Sequence, residues 1–92
     1  MPEREATIAS TSGLHARPAA IFTEAAAALD TEVTITHDGT PREDAIDASS
    51  ILSVLSLGAK SGDRVVLRAE GHGAEEALAQ LAALLETDLD AG

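Results

Sequence analysis

The sequence predicts an α+β fold with helices packed on one face of an antiparallel sheet. Three observations carry that prediction. Short segments that alternate with period 2 are interleaved with segments of helical period, in the order β-α-β-β-α-β-α. The apolar supply is 45% of 92 residues, almost all aliphatic or alanine with Phe22 the single aromatic, so the core has to be economical. No internal repeat, low-complexity tail or linker interrupts residues 1–92, which read as a single domain.

Arg4 to Ala9 sets Ala6 and Ile8 against Glu5 and Thr7 and reads as a strand, which Thr11-Ser12-Gly13 interrupts. From Pro18 to Leu29 the spacing becomes helical. Phe22, Ala25, Ala26 and Leu29 fall at i, i+3, i+4 and i+7, Ile21 widens the stripe, and the alanine run 25–28 adds propensity. Glu32 to His37 alternates Val33 and Ile35 with polar neighbours and holds four β-branched residues in a row, the pattern of a strand with one buried face.

Asp38-Gly39-Thr40-Pro41 is turn chemistry, and Glu43 to Asp47 is expected as a short polar edge strand. Ser49 and Ser50 can cap the apolar segment Ile51–Leu57, which Gly58 ends, so a helix of about two turns is expected there. Its expected core residues are Ile51 and Val54. After the turn Ser61-Gly62-Asp63, the segment Arg64 to Ala69 is the clearest strand in the chain. Gly71-His72-Gly73 leads into a last helix from Ala74 to Glu86, with Leu78, Leu81, Ala82 and Leu85 as its stripe. Glu75 and Glu76 stand near the positive end of its dipole.

Six Lys plus Arg against sixteen Asp plus Glu leave a formal charge of −10, which repels nucleic acid and anionic lipid. The acidity reads as a solvated surface of the kind found in salt-adapted proteins. With one aromatic residue, base- or sugar-stacking platforms are excluded as a leading reading. The absence of cysteine removes disulfides, thiolate chemistry and cysteine-ligated zinc. MPEREATIAS lacks the basic start and apolar run of a signal peptide, and no stretch has membrane-spanning length, so a cytoplasmic protein is expected. His37 and His72 each stand without carboxylate or histidine partners at metal-ligand spacing. Both read as solvated loop residues, and no metal or other cofactor is expected.

The stretch TSGLHARPAA, residues 11–20, is where chemistry concentrates. Proline is tolerated in a helix's first turn and disfavours helical geometry in the residue before it, so Pro18 pins a helix start close to Arg17. His15 then falls at or just before the helix N-terminus, beside unpaired backbone N–H groups and the positive end of the dipole. Arg17 adds a fixed cation with a planar fork of donors. Gly13 lets the backbone bend sharply and Ser12 offers a hydroxyl. Dipole and like charge both oppose protonation of the imidazole, leaving a neutral nucleophile beside a site that welcomes an anion. A capping-region histidine beside a surface arginine is the competing reading, and for an isolated His-x-Arg it would win.

The match is longer than that pair. Gly13-Leu14-His15-Ala16-Arg17-Pro18-Ala19 resembles the active-site signature of the HPr family, the histidine-containing phosphocarriers of the phosphoenolpyruvate:sugar phosphotransferase system. A second segment, Ser50-Ile-Leu-Ser-Val-Leu-Ser-Leu-Gly58, is similar to the stretch of that family running from its regulatory serine to the Leu-Gly of its second helix. The similarity extends over essentially the whole chain. It implies an open-faced β-sandwich, a four-stranded antiparallel sheet with three helices on one face.

By the same resemblance His15 would take a phosphoryl group from phospho-enzyme I through Nδ1 and pass it to a histidine of a sugar-specific enzyme IIA. Arg17 would stabilise the phosphate, with the backbone N–H groups of Ala16 and Arg17 as further donors. Ala20 on the first helix, with Leu52 and Leu55 on the second, would meet these partners, and the carrier would act as a monomer and not as an enzyme with its own turnover. Ser50 matches the serine that an ATP-dependent kinase phosphorylates in many members, which would add that kinase or a transcriptional regulator as a partner. A plain capping role for Ser50, worth about 1 kcal/mol, competes with this reading.

Ser49 departs from the lysine usual before that serine, and Glu24 and Ala27 stand where some members carry basic docking residues. The 35 positions from His15 to Ser50 exceed the usual spacing, an excess expected in the Asp38–Asp44 loop. The alternative function is a regulatory module of the same fold that binds a partner through the Ser50 helix. The presence of His15 favours the carrier. An unrelated hydrolase using His15 as a base lacks a nearby nucleophile–acid constellation.

Overall fold

The computed structural model describes residues 2–11, 13–14 and 16–87, together with the backbone but not the side chain of Arg42. Its elements follow the expected order: β1 (Glu3–Thr7), α1 (Ala16–Ala27), β2 (Val33–His37), β3 (Ile46–Asp47), α2 (Ile51–Leu57), β4 (Arg64–Ala69) and α3 (Ala74–Leu85). The four strands form one antiparallel sheet in the order β1-β4-β2-β3. The apolar hexamer of β4 therefore lies inside the sheet, between β1 and β2.

Registry sorts the side chains by face, because directly paired residues in an antiparallel sheet point the same way. One rung joins Ala6, Val65 and His37, the next Arg4, Leu67, Ile35 and Ile46, and a third Ala69 and Val33. These rungs carry the buried Ala6, Val65, Leu67, Ile35, Val33 and Ala69, and the three helices cover them. α3 lies on β1 and β4, α2 lies against β2 and β3, and α1 contacts both of those helices. On the open face Arg68 spans the sheet, donating through Nε to Glu3 at 3.1 Å and through a terminal nitrogen to the Thr36 hydroxyl at 2.9 Å.

Several expectations need correction. The first strand runs Glu3–Thr7: Ile8 N–H still donates to Asp63, the next residue in register, but Asp63 N–H turns to the Lys60 carbonyl and Gly62 N–H takes the Ile8 carbonyl, so regular pairing stops there. α1 begins at Ala16, two residues before Pro18; the proline occupies the first turn, where its missing N–H costs nothing. Its buried stripe is Pro18, Ala19, Phe22, Thr23 and Ala26, while Ile21, Ala25 and Leu29 are only half-buried. The segment expected as an edge strand from Glu43 is instead a 3-10 turn over Arg42–Asp44, closed by Asp44 N–H to the Pro41 carbonyl, and only Ile46–Asp47 pairs. Its first apolar residue that can face the core is Ile46, so nothing earlier holds it to the sheet.

In α2 only Val54 is fully buried, and Ile51 is 37% exposed rather than a core residue. The helix rests on the core along Val54 and Leu57, which leaves its first residue on the rim. The stripe of α3 is buried as expected. Among the described residues no helix is long and apolar enough to cross a membrane.

Candidate functional site

The chain around position 15 is held from both sides. After β1 it stays close to the turn that follows α2: Ile8 N–H donates to the Asp63 carbonyl at 2.9 Å, and Gly62 N–H donates to the Ile8 carbonyl at 2.8 Å. Ala9 N–H reaches the Leu85 carbonyl at the end of α3, at 3.0 Å. Gly13 closes a tight bend, its N–H donating to the Ser10 carbonyl at 2.9 Å. Leu14 then buries its side chain in the core and donates its N–H to the Ala59 carbonyl at 2.9 Å.

Gly13 is required there twice over. Its φ of 79° lies where L-residues are strained, and a Cβ would stand 2.7 Å from the Ala59 carbonyl oxygen and 2.9 Å from the Cα of Lys60. The bend was legible in the sequence; the close approach to Ala59–Lys60 was not, since it joins segments more than forty positions apart.

His15 and Ser12 lie outside the described residues. On the far side of His15, Ala16 is the first residue of α1, and both Ala16 and Arg17 are exposed. An α-helix leaves its first N–H groups without intrahelical acceptors, here those of Ala16 and Arg17, since Pro18 has none. Arg17 forms no ion pair with another described residue. Ala20, Glu24 and Ala27 continue the outward face of α1 beyond Arg17, with Ala20 half-buried.

α2 carries the second motif. Ser50 is its N-cap, with extended backbone and a side-chain oxygen that accepts from Ser53 N–H at 3.4 Å, and Gly58 ends the helix in the left-handed region at φ 67°. Three residues before that cap, Asp47 accepts from both the hydroxyl of Ser49 (2.7 Å) and its backbone N–H (2.9 Å). Those two bonds, the hydroxyl first, hold the Asp47 carboxyl below the usual aspartate range against a small opposing effect of burial. Leu52 and Leu55 are 77% and 39% exposed, and with Ile51 they form an apolar strip on the surface.

His37 differs from its sequence reading. It is half-buried, and its Nε2 lies 2.8 Å from the Leu57 carbonyl. A carbonyl only accepts, so this nitrogen carries the proton. The signal was present in the pattern: positions 33, 35 and 37 share a strand face, and Val33 and Ile35 point to the core. His72 is exposed, as expected. A groove of ≈ 480 Å³ beside β2 and β4 is lined by Glu32, Asp47, Glu70 and Arg68, and it includes none of the residues of the two motifs.

Ala16, Arg17, Leu52 and Leu55 are all exposed, and comparison with known proteins identifies the family to which the chain belongs. The family profile described as "PTS HPr component phosphorylation site" matches residues 2–87. The phosphocarrier protein HPr of Streptomyces coelicolor is 45% identical over 91 residues, covering 98% of this chain and 94% of that protein. The HPr-like protein Crh of Halalkalibacterium halodurans is more distant, at 34% over 88 residues, with 96% of this chain and all of that protein covered. The crystal structure of an HPr from Thermoanaerobacter tengcongensis superposes with a TM-score of 0.84 at 36% identity, covering 98% of this chain and 97% of that one. A loop seated against the α2–β4 turn, a helix opening at Ala16 beside an exposed arginine, and these matches together place the chain in the HPr family: it is a phosphocarrier of the phosphotransferase system and not an enzyme.

Proposed function

We propose that His15 is the residue that carries the phosphoryl group, with Arg17 and the first N–H groups of α1 as the cradle for its charge. What supports this most directly is the anchoring of Leu14 next to a helix that opens at Ala16 with an exposed Arg17 that pairs with no described residue. The lone pair of imidazole Nδ1 attacks the phosphorus of the phosphohistidine on enzyme I. One N–P bond forms as the other breaks, and the enzyme I imidazole leaves with the electron pair. The same exchange with a histidine of enzyme IIA empties the carrier. No proton, metal or external reductant is needed to balance either step.

The outward face of α1 at Ala20 and the Leu52–Leu55 strip of α2 are the surfaces assigned to enzyme I and enzyme IIA. Exposed leucines flanking a charged transfer point suit docking, in which apolar contact supplies affinity and the charged group supplies the reaction. Ser50 is assigned to capping. The Asp47–Ser49 clasp beside it places a carboxylate where a kinase would have to install a dianion, and like charges oppose that.

The deciding experiment is incubation with phosphoenolpyruvate and enzyme I from the same cell. One acid-labile phosphate per chain is expected, lost in His15→Ala. Full labelling of His15→Ala would remove this assignment. Incubation with ATP and cell extract should leave no acid-stable phosphate on Ser50; its appearance would move Ser50 from a cap to a regulatory site.

A further inference from the structure

The tie between His37 and α2 sits between the Leu52–Leu55 strip and the Ala59–Lys60 segment that Gly13 approaches. Strand parity sets the His37 ring on the helix-bearing face, level with Val65, and its Nε2–H donates to the carbonyl of Leu57, the last residue of α2. That carbonyl is among those a helix leaves without an intrahelical donor. α2 packs on α1, β2 and β3 with Val54 fully buried and Leu57 partly so, and the His37 bond adds a tie at its last turn. Immediately beyond Leu57, Gly58 turns left-handed, Ala59 accepts from Leu14 N–H, and Ala59–Lys60 form the seat under Gly13.

We propose that His37 is a positioning residue for phosphoryl transfer. By fastening the Leu57 carbonyl to the sheet, it holds the Leu52–Leu55 face and the seat of the Gly13–Leu14 loop in one fixed relation. The imidazole suits this task, since it is rigid and carries its donor at the far end of the ring. An apolar replacement would leave the carbonyl to water and free the last turn of the helix. This inference rests on the docking role given to α2 above.

The test is steady-state phosphoryl transfer from phospho-enzyme I with the full chain as the varied substrate. His37→Ala should raise KM about three- to tenfold, the range of one hydrogen bond, with little change in kcat. His37→Gln, which keeps an N–H donor at similar reach, should restore KM to near the parent value. If His37→Ala does not fold, His37→Leu fills the space without a donor and takes its place. An unchanged KM without the donor, or a glutamine variant as impaired as alanine, overturns the proposal.

Leu52→Glu keeps the two readings apart. If it leaves KM unchanged, the docking role of α2 fails, and hydrogen exchange decides whether His37 holds the seat. Faster exchange of the Gly58 and Leu14 amides in His37→Ala but not in His37→Gln sustains that hold; equal exchange in all three proteins ends it.

Discussion

Gly13 shows how a single residue without a side chain can govern the site. At φ 79°, with the Ala59 carbonyl oxygen 2.7 Å from where a Cβ would stand, alanine must both strain its own backbone and push its neighbour away. Gly13→Ala should cost about 1–3 kcal/mol in urea unfolding. It should also slow phosphoryl transfer, because the segment displaced is the one that leads into position 15. Arg17 acts at the opposite end of the scale: it is exposed and pairs with no described residue, so its removal should leave unfolding nearly unchanged. Arg17→Ala should instead lower the transfer rate by about a hundredfold, the usual effect of deleting one charge-stabilising donor, read by rapid quench with phospho-enzyme I.

Among the elements, α2 is the most exposed to test, since it is short and has one fully buried side chain. Val54→Ala removes two buried carbons at its single fully buried position and should cost about 2 kcal/mol. Ser50→Ala should cost less, about 0.5–1 kcal/mol, because the capping bond is long at 3.4 Å and the position is partly solvated. The Asp47–Ser49 clasp gives the start of the helix a pH dependence. Asp47 is depressed in the folded chain, so its contribution is complete above the usual aspartate range and fades as pH falls through the folded value. Ser49→Ala removes the larger of the two bonds, and carbon-13 NMR should find Asp47 titrating at higher pH. No change there would mean that the backbone N–H alone sets the shift.

The elements also show how far local pattern reaches. β4 matched its expected bounds because six residues with a strongly apolar run have no competing local structure. α2 matched because Ser50 and Gly58 are capping residues whose action is local. The Glu43–Asp47 edge strand failed because a two-residue bridge depends on a partner, and nothing local distinguishes it from a 3-10 turn started by Pro41. Ile51 looked like core for a similar reason. Its apolarity was legible, but which side of α2 meets the sheet was not.

At the scale of the whole molecule, charge is the dominant fact. Ten net negative charges act on 92 residues, and the described residues form two ion pairs, Arg64–Asp38 at 4.0 Å and Arg68–Glu3 at 3.1 Å. Both have at least one well-exposed partner, and such pairs contribute little. Most of the acids therefore repel one another across the surface. Raising ionic strength from about 0.01 M to 1 M shortens the screening length from about 30 Å to 3 Å. Relief worth about 1 kcal/mol would raise Tm by about 4–8 °C in a domain of this size. A flat melting temperature across that range would show that the acidic surface carries no net repulsion.

The sequence by itself determined the order of elements, the caps of α2, the helix start pinned near Arg17, and the resemblance that identifies the transfer motif. The element types, the caps and the helix start depend on residues within about ten positions of one another, where propensity, capping and spacing act, while the resemblance rests on two motifs standing in the right order. Only the tertiary structure decided that β4 is central, that Ile51 lies on the rim, that Gly13 is seated on Ala59–Lys60, and that His37 holds the end of α2. Those outcomes join segments twenty or more positions apart, or turn on which face of an element meets the core. Local pattern is blind to both until the sheet has set its register.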